Sequence, residues 1–243
     1  MELIYILYLV VALLFVPVLI WGIVAQAQVQ STFEKYSKTS CMSGYTADAV
    51  AKTILDKNGV GGVEITNIPG QLTDNYDPKR KVVSLSSSVF GSTSISAIGV
   101  AAHECGHVIQ HHKGYLPIKI RTALVPIVNF FSRMFLPLLV VGIVFSAFSS
   151  FFYATIFIYV AIGFYGFSTL FSLVTLPVEF DASKRALKEL EQLGFLSKDE
   201  ISAAREVLRA AAMTYVVSFF TSLIYLLHFV LRILIITGIG RRR

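Results

Sequence analysis

His103 and His107 stand four residues apart, with Glu104, Cys105 and Gly106 between them. On a helix, residues four apart share a face, so two imidazole nitrogens can be offered to one divalent ion. Glu104 sits beside the first histidine, where its carboxylate can reach an attacking water and serve as general base in zinc-assisted hydrolysis. Ala101, Ala102 and Gly106 are small enough to let other elements pack close. The five residues therefore point to a metallopeptidase centre with one Zn2+ ion, His103 and His107 as ligands and Glu104 as the catalytic residue.

A catalytic zinc takes three protein ligands and keeps one open position. The metzincin pattern would put a third histidine six residues after His107, but Lys113 stands there and Gln110 replaces the expected glycine. His111 and His112 follow on the same helix, and His111 lies about 12 Å of helix rise from His103, too far to share its ion. They are expected to be exposed or to support a ligand. The better third donor is Glu179, in Pro177-Val178-Glu179-Phe180-Asp181-Ala182-Ser183, with Asp181 as the rival carboxylate on another side of the same helix.

The elements that must position these groups include membrane helices. Hydrophobic residues make up 55% of the 243 residues and the mean hydropathy is +0.68, beyond what a soluble domain carries. Apolar stretches at about 3–25, 123–148, 151–176 and 213–236 meet the ~20-residue requirement for a spanning helix. Residues 25–27, Ala-Gln-Ala, have a small-x-small form, but the apolar run lacks a preceding cation and is too long for a signal peptide, so it reads as a retained anchor.

Four spans put the segment between the first and second on the same face as the segment between the third and fourth. That shared face holds His103, His107 and Glu179. It also holds Lys35, Lys38, Lys113, Lys119, Arg121, Lys184, Arg185, Lys188, Arg205 and Arg209, so the positive-inside rule makes it cytoplasmic. Arg241, Arg242 and Arg243 fall on the other side.

Between the spans, Thr46 can cap a helix that ends at Asn58-Gly59, and Val63-Glu64-Ile65 alternates like a short strand. Residues 67–70 and 74–78 read as turns, and 81–86 as a β-branched strand. Ser92 or Ser94 can cap a long helix through His112, closed by Gly114. Pro177 suits the first turn of a helix over about 177–193, and Ser197-Lys198-Asp199-Glu200 forms a capping box. The expected fold is a mainly α membrane protein, a single domain over residues 1–243. In it a small α+β zincin-like segment at about 41–114 carries the active helix. The 81–86 strand could bind an extended peptide by strand addition, which implies weak side-chain selectivity. Cys41 and Cys105 are too far apart for a metal knuckle and read as free thiols.

The sequence resembles the YugP-like membrane-bound neutral zinc metallopeptidases and, more distantly, the gluzincin membrane proteases of the HtpX and CAAX-prenyl type. The matching pieces are Leu72-Thr73-Asp74-Asn75-Tyr76-Asp77-Pro78, Ala102-His103-Glu104-Cys105-Gly106-His107, Pro177-Val178-Glu179-Phe180-Asp181-Ala182-Ser183 and Ala211-Ala212-Met213-Thr214-Tyr215. The resemblance implies His103, His107 and Glu179 as ligands and Glu104 as the catalytic residue. In the HtpX-type pattern an Asp four residues after the ligand glutamate supports a histidine; Ser183 stands there, and no such role is assigned to it. Asn75 stands where the YugP-like pattern often has a His, and it receives no metal role.

The expected activity is that of a membrane-embedded endopeptidase acting on peptides or membrane proteins, in contact with the lipid bilayer and without a nucleic-acid partner. Tyr215 is a candidate oxyanion donor or an interfacial anchor. The alternative is an inactive membrane metal-binding scaffold. A transporter would need more than the lone span histidine, His228.

Overall fold

The computed structural model describes residues 2–148 and 151–237. The elements are α1 (Glu2–Leu13), α2 (Phe15–Ser37), α3 (Ala47–Lys57), β1 (Glu64–Ile68), β2 (Asn75–Asp77), β3 (Val82–Ser86), α4 (Ile95–His112), α5 (Leu116–Phe148), α6 (Phe151–Gln192) and α7 (Lys198–Thr237). Four helical stretches are long and apolar enough to cross a membrane: Glu2–Ser37, Leu116–Phe145, Ile156–Gln192 and Lys198–Ile235. The small break at Leu14 precedes Pro17, which lacks the N–H that would bond the carbonyl of Leu13. The expected connection at Ser149 and Ser150 and the cations Arg241, Arg242 and Arg243 lie outside the described residues.

The chain divides into two compact units. The first comprises the described parts of Met1–Ile23, Ile120–Thr175 and Tyr215–Arg243. In it Val11, Ile224 and Leu231 form a small buried cluster, and Phe131 stacks on Phe164 at 4.2 Å. Leu3, Ile23 and Leu136 are among the large apolar side chains left exposed, as expected of helices solvated by lipid.

The second unit, Val24–Lys119 with Leu176–Thr214, holds the three-stranded sheet and the main core. Helix α3 starts after Thr46, which adopts the extended N-cap backbone without donating or accepting a side-chain cap bond. Helix α4 starts at Ser94, whose hydroxyl accepts from Ala97 N–H at 3.3 Å, and closes before Gly114 at φ +67. The capping box before α7 forms as expected: Ser197 N–H donates to Glu200 Oε2 at 2.7 Å, and Glu200 N–H faces Ser197 Oγ at 3.5 Å. Glu200 also accepts from Met42 N–H at 2.7 Å, tying the start of α7 to the segment after α2.

Three sequence expectations change. Residues 75–77 form β2 rather than part of a turn; the strand is short and half exposed, so it carries no apolar alternation to reveal it. Asn67 and Ile68 likewise belong to β1, and the turn starts at Pro69. Pro177 does not open a separate helix: α6 runs without interruption through it from Phe151 to Gln192. The sheet order is β1-β3-β2, with β1 parallel and β2 antiparallel to β3.

That order also removes the expected peptide-addition site. β3 is the central strand, paired with β1 along its whole length and with β2 over Val82–Ser84. Where β2 ends, Ser86 N–H donates to Asp74 Oδ1 at 2.7 Å and Ser86 Oγ–H to Asp74 Oδ2 at 2.9 Å. Neither edge of β3 is open to a substrate backbone.

Candidate metal centre

Helix α4 is buried on nearly every side, with Ile98, Ala101, Ala102, Cys105, Val108 and Ile109 in the core. Such burial fixes the direction of the remaining face, where His103 and His107 sit one turn apart with ring centroids 4.7 Å apart. Gly106 brings α6 close. A Cβ built there would lie 2.5 Å from the Ala182 carbonyl oxygen and 3.1 Å from its Cα. Any larger residue would have to push the α6 backbone away, and with it Glu179, three residues before Ala182.

Glu179 faces both histidines. Its Oε2 lies 3.3 Å from His103 Nε2 and 3.5 Å from His107 Nε2, and the side-chain exposures are 2%, 16% and 10% respectively. All three donor atoms fall within 4.8 Å of one another. Zinc bonds of ~2.0–2.1 Å in a tetrahedron place neighbouring ligand atoms roughly 3.4 Å apart, close to both separations.

The outer contacts set the tautomers. Gln110 Nε2 donates to the Val178 carbonyl and to Asp181 Oδ2, each at 2.8 Å, so its Oε1 is left to accept from His107 Nδ1–H at 3.1 Å. A neutral His107 with its proton on Nδ1 turns a lone pair at Nε2 toward Glu179. His103 Nδ1 lies 3.2 Å from Ser183 Oγ, whose oxygen can accept an Nδ1–H and so give this ring the matching support. Two imidazole nitrogens and a carboxylate oxygen then converge on one point, an arrangement suited to holding a cation. The donor set and its spacing fit zinc.

Cys105, although inside the motif, faces away: its Sγ–H donates to the Ala51 carbonyl at 3.5 Å, and burial pushes the thiol far up. A thiol held neutral is no zinc ligand. Cys41 is also a buried free thiol.

The structure thus brings His103, His107 and Glu179 together, and Glu104 is buried on the same helix as the two histidines. Asp181 is drawn off by Arg185, whose Nε donates to Oδ2 at 2.6 Å, and by Gln110. His111 packs edge-on against Tyr76 at 5.7 Å, and His112 is exposed. Tyr215 belongs to the other compact unit.

Two contributors escape the sequence reading. Ser183, assigned no supporting role there, is the partner of His103. Gln110, read only as a departure from the metzincin pattern, bridges His107 to α6. Its signal was available: a polar residue three positions after a histidine, on the buried side of the same helix. Gln110→Ala and Ser183→Ala should each weaken zinc binding about 10–100-fold while leaving all three donors in place. Competition with a chromogenic chelator measures this, and Ser183→Thr should restore most of the loss.

Comparison with known proteins agrees with this chemistry. A family profile described as "Putative neutral zinc metallopeptidase" matches residues 11–234. A curated relative from Bacillus subtilis (strain 168), named "Putative membrane protease YugP", is 42% identical over 207 residues, covering 85% of this chain and 89% of the relative. No solved structure matches the chain.

Proposed function

This chain belongs to the neutral zinc metallopeptidase family, and from that premise we propose that it is a membrane-embedded endopeptidase in which His103, His107 and Glu179 hold one zinc ion and Glu104 is the general base. The observation that carries the reading is the convergence of three oriented donors, 3.3 Å and 3.5 Å from a shared carboxylate oxygen to the two imidazoles. A bound zinc supplies the Lewis acidity that polarises a peptide carbonyl and lowers the pKa of an attacking water.

The protein's own groups do the rest. Glu104 takes the water's proton on its carboxylate and delivers it to the amine nitrogen as the peptide bond breaks, so no covalent intermediate is required. Burial of Glu104 limits competition from bulk water for that proton. Gln110 and Ser183 hold the imidazoles in the ligating tautomer throughout. We place the motif in a zincin-like segment and, from the cations flanking the spans, on the cytoplasmic face.

Cleavage by the reconstituted full chain should cease when a chelator removes the metal and return with about one equivalent of zinc. Undiminished cleavage by metal-free protein would refute the reading.

A further inference from the structure

A second feature of the same unit bears on what the enzyme cleaves. Between α6 and α7 lies a cleft of about 460 Å3. Lys184 and Lys188 enter it from α6, and Arg205 and Arg209 from α7. Their spacing, four residues apart on each helix, puts each pair on a single face. Glu191 is the one acidic residue of the lining, and among the described residues none of the four cations forms an ion pair. Phe180, Leu187 and Leu208 supply apolar lining between the charges, and Phe180 is 47% exposed.

Ser183 also lines this cleft, while its Oγ touches His103 Nδ1. The cleft therefore reaches, through Ser183, the Nδ1 edge of His103, one of the residues that would hold the metal. Four uncompensated cations in a concavity raise the local potential more than the same charges on a convex surface. Building on the peptidase reading, we propose that this cleft is a specificity site that receives an acidic side chain of the peptide substrate beside the scissile bond.

The helix sets the distance. From Ser183 to Lys188, the farther cation on α6, the helix rises by about 8 Å. An extended peptide advances ~3.3 Å per residue, so the acidic side chain sits about two or three residues from the cleaved bond. A flat basic patch serving only anionic lipid would need neither the concavity nor the connection through Ser183. Lipid contact is therefore the competing outcome rather than the expectation.

The test uses the full chain in nanodiscs of zwitterionic phosphatidylcholine, a degenerate peptide library, and sequencing of the products by mass spectrometry. Asp and Glu should be enriched about tenfold over Asn and Gln at one position, two or three residues from the cut. The double variant R205E/R209E should erase that enrichment or invert it toward Lys, while R205K/R209K retains it and controls for folding. Independently of turnover, the Glu104→Gln chain should bind a fluorescent Glu-containing peptide more tightly than its Gln counterpart, as read by anisotropy.

Cleavage with no acidic preference would overturn the cleft assignment and leave the peptidase intact. Selective binding of the acidic peptide without any cleavage by zinc-loaded wild type would support the cleft and refute the peptidase. If R205E/R209E altered behaviour only in discs containing phosphatidylglycerol, with peptide preference unchanged, the cleft would be a lipid contact and the proposal would fail.

Discussion

Glu104→Gln should leave the purified protein loaded with zinc and lower kcat/KM for peptide cleavage by about two to four orders of magnitude. The amide keeps the size of the side chain but cannot take a proton from water at neutral pH. His103, His107 and Glu179 are untouched by the change, so metal content, measured by mass spectrometry of the digested protein, should stay at the wild-type level. The pairing of results separates an enzyme from a metal-binding scaffold: a scaffold would keep its zinc and show no cleavage that depends on Glu104. Glu104 is 8% exposed, and an isosteric amide there avoids the cavity that Ala would leave.

Glu179→Ala should have the second largest effect, a loss of zinc affinity greater than the ~10–100-fold typical of outer contacts. The substitution removes the oxygen that faces both imidazoles and leaves a two-histidine site, which retains zinc poorly. Asp181→Ala is the matched control. Asp181 is also a carboxylate, two residues away on the same helix, but it is occupied by Arg185 and Gln110. Its loss should cost no more than the loss of Gln110 itself. Chelator competition on both variants decides between the carboxylates, and equal losses would contradict the choice of Glu179.

Much of this arrangement could be read from the chain because the relevant signals are local. Helix periodicity pairs His103 with His107, Ser94 and Gly114 bound the helix that carries them, and the Ser197 and Glu200 box marks the start of α7. Hydropathy alone separates the four long apolar helices, because a spanning segment needs no partner to declare itself. Span parity led to the expectation that Glu179 meets the histidines, and the three donors do come together.

What the sequence did not reveal depends on contacts between distant segments. Ser183 and Gln110 gain their roles only once α6 lies against Gly106, and no spacing rule connects residue 183 to residue 103. β2 is three residues long, and its pairing with β3 rather than its composition makes it a strand. Pro177 illustrates the limit of a local rule: it removes one hydrogen bond, yet packing around α6 keeps the helix running through it. The peptide-addition reading failed for a topological reason, since the central place of β3 cannot be inferred from its own residues.

The proposed activity depends on which atoms hold the metal, and X-ray absorption at the zinc edge of the wild-type protein tests that most directly. The expected first shell is nitrogen and oxygen only, at about 2.0–2.1 Å, with the outer-shell scattering of two imidazoles. A sulfur contribution near ~2.3 Å, which would bring Cys105 or Cys41 to the ion, or a signal from fewer than two imidazoles, would contradict it.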